Sequence, residues 1–532
     1  MQYKYFLLLI LIVAGFSACT KKFTEYNTNP YSATLQQQQA DNYYVGQKFP
    51  AMMYAVLPAG DVPGQSNYVN SYQVAYSLAA DAFSGYVGEA NNWNGNNNNL
   101  TYDFSVNWNN EQFNLNATLM ASWKDIKDAT TLSGDTLQFY VAQVIKVIGI
   151  IRMTDSYGPV PYSAIPTGSF TPYYDRQDSI YYSAFRDLIK ARDVLFQYGG
   201  NAGKPLAPYD LIYAGDYLKW AKLANSLILR LAIRIRYADA THAQQYAEEA
   251  ITDPAGMLTA MDDNATLGIK SGNGSINYSN PLVVLTQTYN EARMGATLQS
   301  YLAGYNDPRI SVYFKPSALA GHTSDYVGVR SGINADHTTY TPFSQLNVAY
   351  SDPMPWMKAS EVYFLRAEGA ILGWNMGGSA KSFYEAGITL AFAETGTNMP
   401  GGYLTNNISK PANYTDYVTS GNSSNALGTI TIQWNEAATT EQKLERIITQ
   451  KWIALYPNGQ EAWAEFRRTG YPKIFPVVVN KSGGTINSTT QVRRIPYPQA
   501  QYTANAVSVN KAIQLLGGSD NGGTKLWWDK KQ

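Results

Sequence analysis

Cysteine and histidine are scarce in this 532-residue chain, which contains one cysteine, Cys19, and three histidines. A single cysteine excludes any disulfide bond within the chain. The histidines His242, His322 and His337 cannot form the HExxH motif of zinc hydrolases. The sequence also lacks a G-x-S-x-G elbow, a phosphate-binding loop and a dinucleotide-binding fingerprint. We therefore predict a protein that is not an enzyme, with no catalytic residue, no metal site and no cofactor.

A net charge is also absent, because 40 lysines and arginines balance 40 aspartates and glutamates. The overall charge therefore gives no reason to expect nucleic acid or a charged partner. Neutral side chains are abundant instead, with 42 tyrosines, 11 tryptophans and many asparagines. Such a composition suits neutral, hydroxyl-rich or peptide-like ligands better than ions.

The lone cysteine stands directly after an apolar run, Phe6 to Phe16, which follows one basic residue, Lys4. The run is shorter than the about 20 residues that cross a bilayer, so it indicates an export signal. Small residues followed at once by Cys19 are typical of a bacterial lipoprotein signal, which is cut before a cysteine that carries lipid. The alternative is an ordinary signal with a chance cysteine, because Phe16 stands where leucine is usual.

These features divide the chain into three parts. Residues 1–18 are predicted to be a lipoprotein signal peptide. Residues 19–41 are polar with little periodicity, and we interpret them as a lipid-anchored tether. No break in composition divides the rest, so residues 42–532 are predicted to form a single domain.

Apolar residues at helical spacing predict a mostly α-helical domain. The segment Asp216 to Ala238 is apolar nearly all round, so we expect it to pack between other helices. Thr439 and Gln442 form a capping box at the start of another helix. Residues 353–391 resemble a helical hairpin of roughly the 34-residue length of a tetratricopeptide unit. Further helices are predicted for residues 131–155, 175–198, 242–252 and 281–302.

Long connections rich in Gly, Asn, Ser and Tyr separate these helices. They comprise residues 84–116, 264–280, 315–352 and 399–430. Loops of this length within a compact protein are usually functional or disordered. The expected architecture is therefore a helical scaffold that carries elaborate loops.

Seven segments occur in order along the chain: TEYNTNPYSAT, RMTDSYGPVPYSAI, WAKLANSLILRLAIRI, YNDPRISVYF, MPWMKASEVYFLRAEGAILGW, ERIITQKWIALYPNGQEAWAEFRRTGYP and RRIPYP. In this order they resemble the SusD/RagB-like nutrient-binding lipoproteins of Bacteroidetes, in the SusD-like branch. The resemblance implies four tetratricopeptide-like helix pairs arranged as a superhelix, with long loops and a few short strands on the other side.

The resemblance also implies a function. Members of the family are anchored in the outer membrane by lipid alone and are exposed at the cell surface. They capture oligosaccharides or, in some members, peptides, and deliver them to a SusC-like TonB-dependent transporter. Nucleic acid is not an expected partner.

The candidate ligand site rests on the loop from Gly85 to Asn110, which carries Trp93, Asn94 and Trp108 together with Tyr86 and Tyr102. An indole face suits the C–H face of a sugar ring, and asparagine offers both a donor and an acceptor. Alternatively, asparagine tolerates left-handed turns and the tryptophans fix the loop to the scaffold. Tyr326 and Tyr340 in the next long loop are further candidates.

Other polar groups have structural interpretations. Asp262-Asp263 could serve a glycosidase, but we interpret the pair as a solvated turn. The paired arginines Arg467-Arg468 and Arg493-Arg494 could bind a carboxylate ligand, although such side chains more often satisfy helix ends and backbone carbonyls. A membrane-anchored helical-repeat scaffold that binds only proteins is the remaining alternative. The long loops favour the nutrient-binding hypothesis, because an adaptor needs little beyond its groove.

Overall fold

The computed structural model describes residues 42–60, 67–104, 107–165, 171–274 and 276–531. Cys19 and the predicted signal and tether lie outside the described residues. Helices account for about 52% of the chain, which confirms the mostly α fold. The longer helices are α1 Lys48–Val56, α2 Asn67–Tyr72, α3 Glu111–Ser133, α4 Thr136–Tyr157, α5 Gln177–Gly199, α6 Tyr217–Ile235, α7 Ala240–Thr252, α8 Ala296–Gly304, α9 Ala359–Ile371, α10 Ala380–Glu394, α11 Thr440–Leu455, α12 Gly459–Thr469 and α13 Gln499–Leu516.

The long helices pack as successive pairs, α3 with α4, α5 with α6, α9 with α10 and α11 with α12. Helix α6 also contacts α4, α7 and α9, which joins the pairs into one array. This arrangement agrees with the expected tetratricopeptide-like superhelix. As predicted, α6 is buried on nearly every side, and Asp216 caps its first turn by accepting from the Lys219 backbone N–H at 3.2 Å. The capping box of Thr439 and Gln442 at α11 is confirmed.

The helix predicted for residues 131–155 begins later than expected. Gly134 adopts a left-handed conformation, with φ of 74°, and ends α3 before Asp135 caps α4. Helix α4 is the one helix among the described residues that is long and apolar enough to cross a membrane, but 72% of its apolar window is buried in the core. Helices α1, α2, α3, α12 and α13 were not predicted as such.

The helix predicted for residues 281–302 is helical at both ends but is interrupted in the middle by a strand. A short helical stretch from Pro281 ends in π-helical turns at Thr288, Asn290 has a φ of 60°, and strand β3 (Ala292–Met294) follows before α8 begins. The helical spacing of apolar residues was misleading because β3 pairs with a strand from a distant loop. Backbone pairing with that strand replaces the helical hydrogen bonds.

Four short strands form two small sheets. β1 (Val87–Glu89) pairs antiparallel with β3, and β2 (Ala265–Leu267) pairs antiparallel with β4 (Met354–Met357). Each sheet therefore joins loops that lie far apart in the sequence. The sheet of β1 and β3 positions the loop that carries the candidate site.

The paired arginines lie in the interior. Arg468 forms ion pairs with Glu368 and Glu465, and Arg494 forms one with Asp520. Arg467 and Arg493 donate to backbone carbonyl oxygens, so the structural interpretation is confirmed for both pairs. Arg467 and Arg493 additionally line a cavity.

Candidate ligand-binding site

Two of the long loops meet at the first small sheet. β1 lies in the loop of residues 84–110, and Gly295, directly after β3, forms a bridge with Val329 of the next long loop. Gly88 permits this close approach, because a Cβ atom there would lie 2.1 Å from the Val329 carbonyl oxygen. The β1 and β3 pairing thus holds residues 84–110 beside residues 315–352.

A third segment, around Lys481, contacts the first of these loops. The Lys481 ammonium donates to the Asn96 carbonyl oxygen at 2.7 Å and to the Asn97 side-chain oxygen at 2.8 Å. From the other side, the Asn96 side chain donates to the Ala335 carbonyl oxygen at 3.2 Å. Residues around 95, 335 and 481 therefore meet in one place.

Trp93 and Trp108 form an edge-to-face pair on this loop. Their ring centroids are 6.1 Å apart and their planes are inclined by 82°. Both rings pack on a small apolar cluster of Leu78, Ala82 and Leu100 that is separate from the main core. Each indole is only half-buried, so part of its surface remains accessible.

The asparagines around Trp93 hold the loop in shape. The side chains of Asn94 and Asn97 each donate to the other residue's carbonyl oxygen at 3.0 Å. Asn94 has a φ of 52°, which asparagine tolerates better than most residues. Asn98 donates to the Trp93 carbonyl oxygen at 2.8 Å and caps the following turn. These contacts preorganise the loop, and the Asn94 residue itself stays exposed.

The predicted candidates Tyr86 and Tyr102 lie in the interior. Tyr86 is 1% exposed, and its hydroxyl donates to the Trp452 carbonyl oxygen. Tyr102 is 3% exposed and has a left-handed backbone. Their position in the same loop does not bring them to its surface, so neither belongs to the proposed ligand surface.

The candidates of the second loop lie elsewhere. Tyr340 is buried, and its hydroxyl donates to Asp416 at 3.0 Å and accepts from Asn422 at 2.8 Å. Tyr326 is half-buried and packs against the main core. Of the seven residues proposed from the sequence, Trp93, Asn94 and Trp108 are the ones that combine accessibility with proximity.

Two carboxyl groups lie near the start of the same loop. Glu291 accepts from the side chains of Asn91 at 2.8 Å and Gln73 at 2.7 Å, while Glu89 accepts from the Ser77 hydroxyl at 3.0 Å. Burial raises the pKa of Glu89 to about 8, and the charge of Glu291 adds to this rise. Burial likewise raises the pKa of Glu291 to about 7. The pair therefore carries less than two full negative charges at neutral pH.

Sequence reasoning missed the polar contacts that support this loop. Gln73, Asn91 and Glu291 form one hydrogen-bonded group, and Lys481 fixes the far side. Glu291 was hidden within a segment predicted to be helical. No local signal in the sequence identifies Lys481, because its partners lie more than 380 residues away.

The described residues offer little catalytic chemistry. They contain no group of three or more His, Cys, Asp or Glu residues that could hold a metal ion. The adjacent pair Asp262-Asp263 lies in a short turn, as predicted, and Asp262 is exposed. The prediction that the turn is solvated is wrong for Asp263, which is buried and accepts from the Lys222 ammonium at 2.8 Å. The accessible groups of the loop site are suited to binding rather than to catalysis, because indole and amide side chains neither titrate near neutral pH nor act as nucleophiles.

The chain matches a family model across most of its length. The model for SusD-like proteins, described as SusD and RagB outer membrane lipoprotein, matches residues 25–529. No curated protein matches the chain.

Solved structures of the same kind are similar throughout. A chitin-binding SusD homologue from Flavobacterium johnsoniae is 36% identical, with 91% of this chain and 98% of that chain covered and a TM-score of 0.85. A SusD homologue from Bacteroides uniformis is 36% identical, with coverage of 92% and 100% and a TM-score of 0.83. One from Bacteroides vulgatus is 34% identical, with coverage of 92% and 98% and a TM-score of 0.84.

Proposed function

The chain belongs to the SusD and RagB family of outer-membrane lipoproteins, and on that premise we propose that it captures an oligosaccharide at the cell surface. In this proposal residues 1–18 are the signal peptide, Cys19 carries the lipid, residues 19–41 form the tether and residues 42–532 form the binding domain. The protein delivers its ligand to a SusC-like TonB-dependent transporter. It performs no chemical step, so the ligand should be recovered intact.

The observation that carries the proposal is the half-buried pair of Trp93 and Trp108 on a loop whose shape is fixed by its own asparagines. A rigid aromatic surface binds a sugar ring with little loss of conformational entropy. Asn94 stands beside it as an exposed polar residue. The similarity to a chitin-binding homologue supports a saccharide as the ligand class.

We expect Trp93→Ala to weaken oligosaccharide binding at least tenfold, which corresponds to about 1.4 kcal/mol. The reason is that an aromatic side chain that the ligand covers supplies much of the energy at such sites. Trp108→Ala should have a similar effect, because Trp108 orients the Trp93 ring. The measurement is calorimetry of the mature protein against a panel of neutral oligosaccharides and neutral peptides.

A matched control is Trp374→Ala, which removes a half-buried tryptophan that follows α9 and packs against the main core. This variant should bind the ligand as the wild type does. Circular dichroism and thermal unfolding establish that each variant is folded. Unchanged binding by folded Trp93→Ala and Trp108→Ala would place the ligand elsewhere, and binding of peptides alone would replace the saccharide with a peptide.

The transporter is a separate prediction. A lipid-anchored binding protein has no route of its own for moving a ligand through the outer membrane. Affinity purification from native membranes in mild detergent should therefore recover a large outer-membrane β-barrel together with this protein. We propose that the helical superhelix supplies the contact, which leaves the loops free for ligand. Repeated recovery of the protein alone would contradict the pairing.

A further inference from the structure

A cavity lies at the C-terminal end of α12. It has a volume of about 550 Å³ and lies where the end of α12, residues 471–476, residues 489–493 and the C-terminal segment meet. Its lining includes neither Trp93 nor Trp108. The volume falls within the range of about 300–1,000 Å³ that is typical of small-molecule sites. The cavity is therefore large enough for a ligand of its own.

Positive side chains dominate its lining. The cations are Arg467, Lys473, Arg493, Lys525 and Lys531, and the carboxylates are Glu441 and Asp529. Each carboxylate already has a partner, since Asp529 pairs with Arg493 at 2.6 Å and Glu441 pairs with Lys531. Among the described residues, three lining cations remain without an ion pair. The balanced charge of the whole chain conceals this local excess.

Arg467 is the buried member of these three cations. It is 2% exposed and donates to the carbonyl oxygens of Asp155 at 2.5 Å and Arg493 at 2.9 Å. Its guanidinium lies 3.4 Å from the Trp463 ring centroid, and its Nη2 atom has no hydrogen-bond partner in the described part of the protein. Burial lowers the pKa of Arg467 to about 9. The carboxylates of Asp155 and Asp529 attract Arg467 from a longer distance, but among the described residues none forms an ion pair with it. A buried cation without a direct ion pair is costly, and a bound anion would offset that cost.

Lys473 and Lys525 are the exposed members. The Lys473 ammonium lies 4.4 Å from the centroid of the Tyr471 ring, and the Lys531 ammonium lies 4.6 Å from the same centroid. Lys473 also interacts electrostatically with Glu445, which does not line the cavity. Glu441 already neutralises Lys531, so Lys473 is the ammonium beside this ring that has no ion pair among the described residues.

We propose that this cavity binds a carboxylate-bearing ligand about the size of a disaccharide or dipeptide. Lys473 and Lys525 contact its carboxylate groups, and the field of Arg467 favours negative charge near the floor. Thr489 and Thr490 are exposed and line the same space, and their hydroxyls suit the neutral parts of the ligand. This site is independent of the neutral-ligand site proposed at Trp93, and neither requires the other.

Calorimetry of the mature protein with two matched pairs of probes tests the proposal. The acidic probes are digalacturonate and diglutamate, and their neutral counterparts are galactobiose and diglutamine. We expect at least one acidic probe to bind, its neutral counterpart to bind at least tenfold more weakly, and the affinity to fall as salt is raised. Binding of digalacturonate alone identifies an acidic sugar, and binding of diglutamate alone identifies an acidic peptide.

The variant Lys473→Gln/Lys525→Gln should weaken that binding at least tenfold. Both side chains are exposed, so the substitutions leave the packing unchanged. Lys190→Gln is the matched control, because Lys190 is an exposed lysine in a different groove, between α3, α4 and α5. The proposal is overturned if neither acidic probe binds, if the double variant binds unchanged, or if Lys190→Gln or Trp93→Ala abolishes the binding instead.

Discussion

Replacing Arg468 with methionine should lower the free energy of unfolding by about 3–5 kcal/mol. The Arg468 guanidinium is fully buried and donates to both carboxylate oxygens of Glu368 at 2.6 and 2.7 Å. It also donates to Glu465 at 2.6 Å. Methionine fills a similar volume but leaves two buried carboxylates without their main cation. Urea unfolding of the mature protein, followed by tryptophan fluorescence, measures the change.

The matched control is Arg176→Met. Arg176 forms an ion pair with Asp178 at 2.7 Å, but its side chain is 65% exposed, so the loss should be no more than about 1 kcal/mol. The two variants remove the same type of side chain from the same type of pair and differ in burial. An Arg468→Met protein that is as stable as Arg176→Met would show that the buried pair is dispensable.

The expected loss is large because Arg468 belongs to a wider buried network. Lys451 of α11 lies 3.4 Å from Glu465 of α12 and 3.6 Å from Glu361 of α9, and Arg234 of α6 pairs with Glu461 of α12 at 2.6 Å. Burial alone would raise the pKa of Glu465, but the charges of Arg468, Lys451 and Arg234 hold it well below its usual value. The network therefore ties four helices together through charges that water does not screen.

The same network explains why the sequence identified the family more readily than the ligand site. Arg234, Glu361, Lys451 and Arg468 all lie in the segments that carry the resemblance. Such buried charges tolerate few replacements, because removing one partner leaves another uncompensated. The motifs that identify the family therefore reflect the buried helical scaffold. The described part of the loop that carries Trp93 contains no such buried network and contributes no motif to the resemblance.

Local patterns predicted the helices whose signals are local. The apolar faces of α5, α6 and α7 and the capping box of α11 were sufficient to place those helices within a few residues. The error at residues 281–302 has a different cause, since β3 forms through pairing with β1 about 200 residues away. The spacing of apolar residues within a short segment cannot reveal a strand partner at that distance.

The candidate site residues also differ in whether local sequence or distant contacts decide their placement. Composition identified the loop of Trp93 and Trp108, because aromatic residues without a helical or strand pattern stand out in the sequence. Burial of Tyr86 depends on the distant Trp452 carbonyl, and burial of Tyr340 depends on Asp416. Whether a loop tyrosine faces solvent or the interior is therefore decided by tertiary contacts that composition does not contain.

Replacing Cys19 with alanine should release the protein from the membrane almost completely. In the proposed lipoprotein the acyl chains on Cys19 are the whole anchor, and each buried methylene contributes about 0.8 kcal/mol. One chain binds only marginally, whereas two or more hold a protein on the membrane. The apolar run before Cys19 is too short to span the bilayer in their place. Thr20→Ala, the matched neighbouring substitution, should stay in the membrane fraction.

The measurement is the partition of each protein between membrane and soluble fractions after a carbonate wash, with mass spectrometry of the N-terminal peptide. Wild type and Thr20→Ala should pellet with the membrane and carry a lipid-modified Cys19, while Cys19→Ala should appear in the soluble fraction. An unmodified Cys19 in the wild type, or a Cys19→Ala protein that still pellets after the wash, would contradict lipid anchoring. The proposed delivery to an outer-membrane transporter depends on this result, because only an anchored binding protein would stay beside such a barrel.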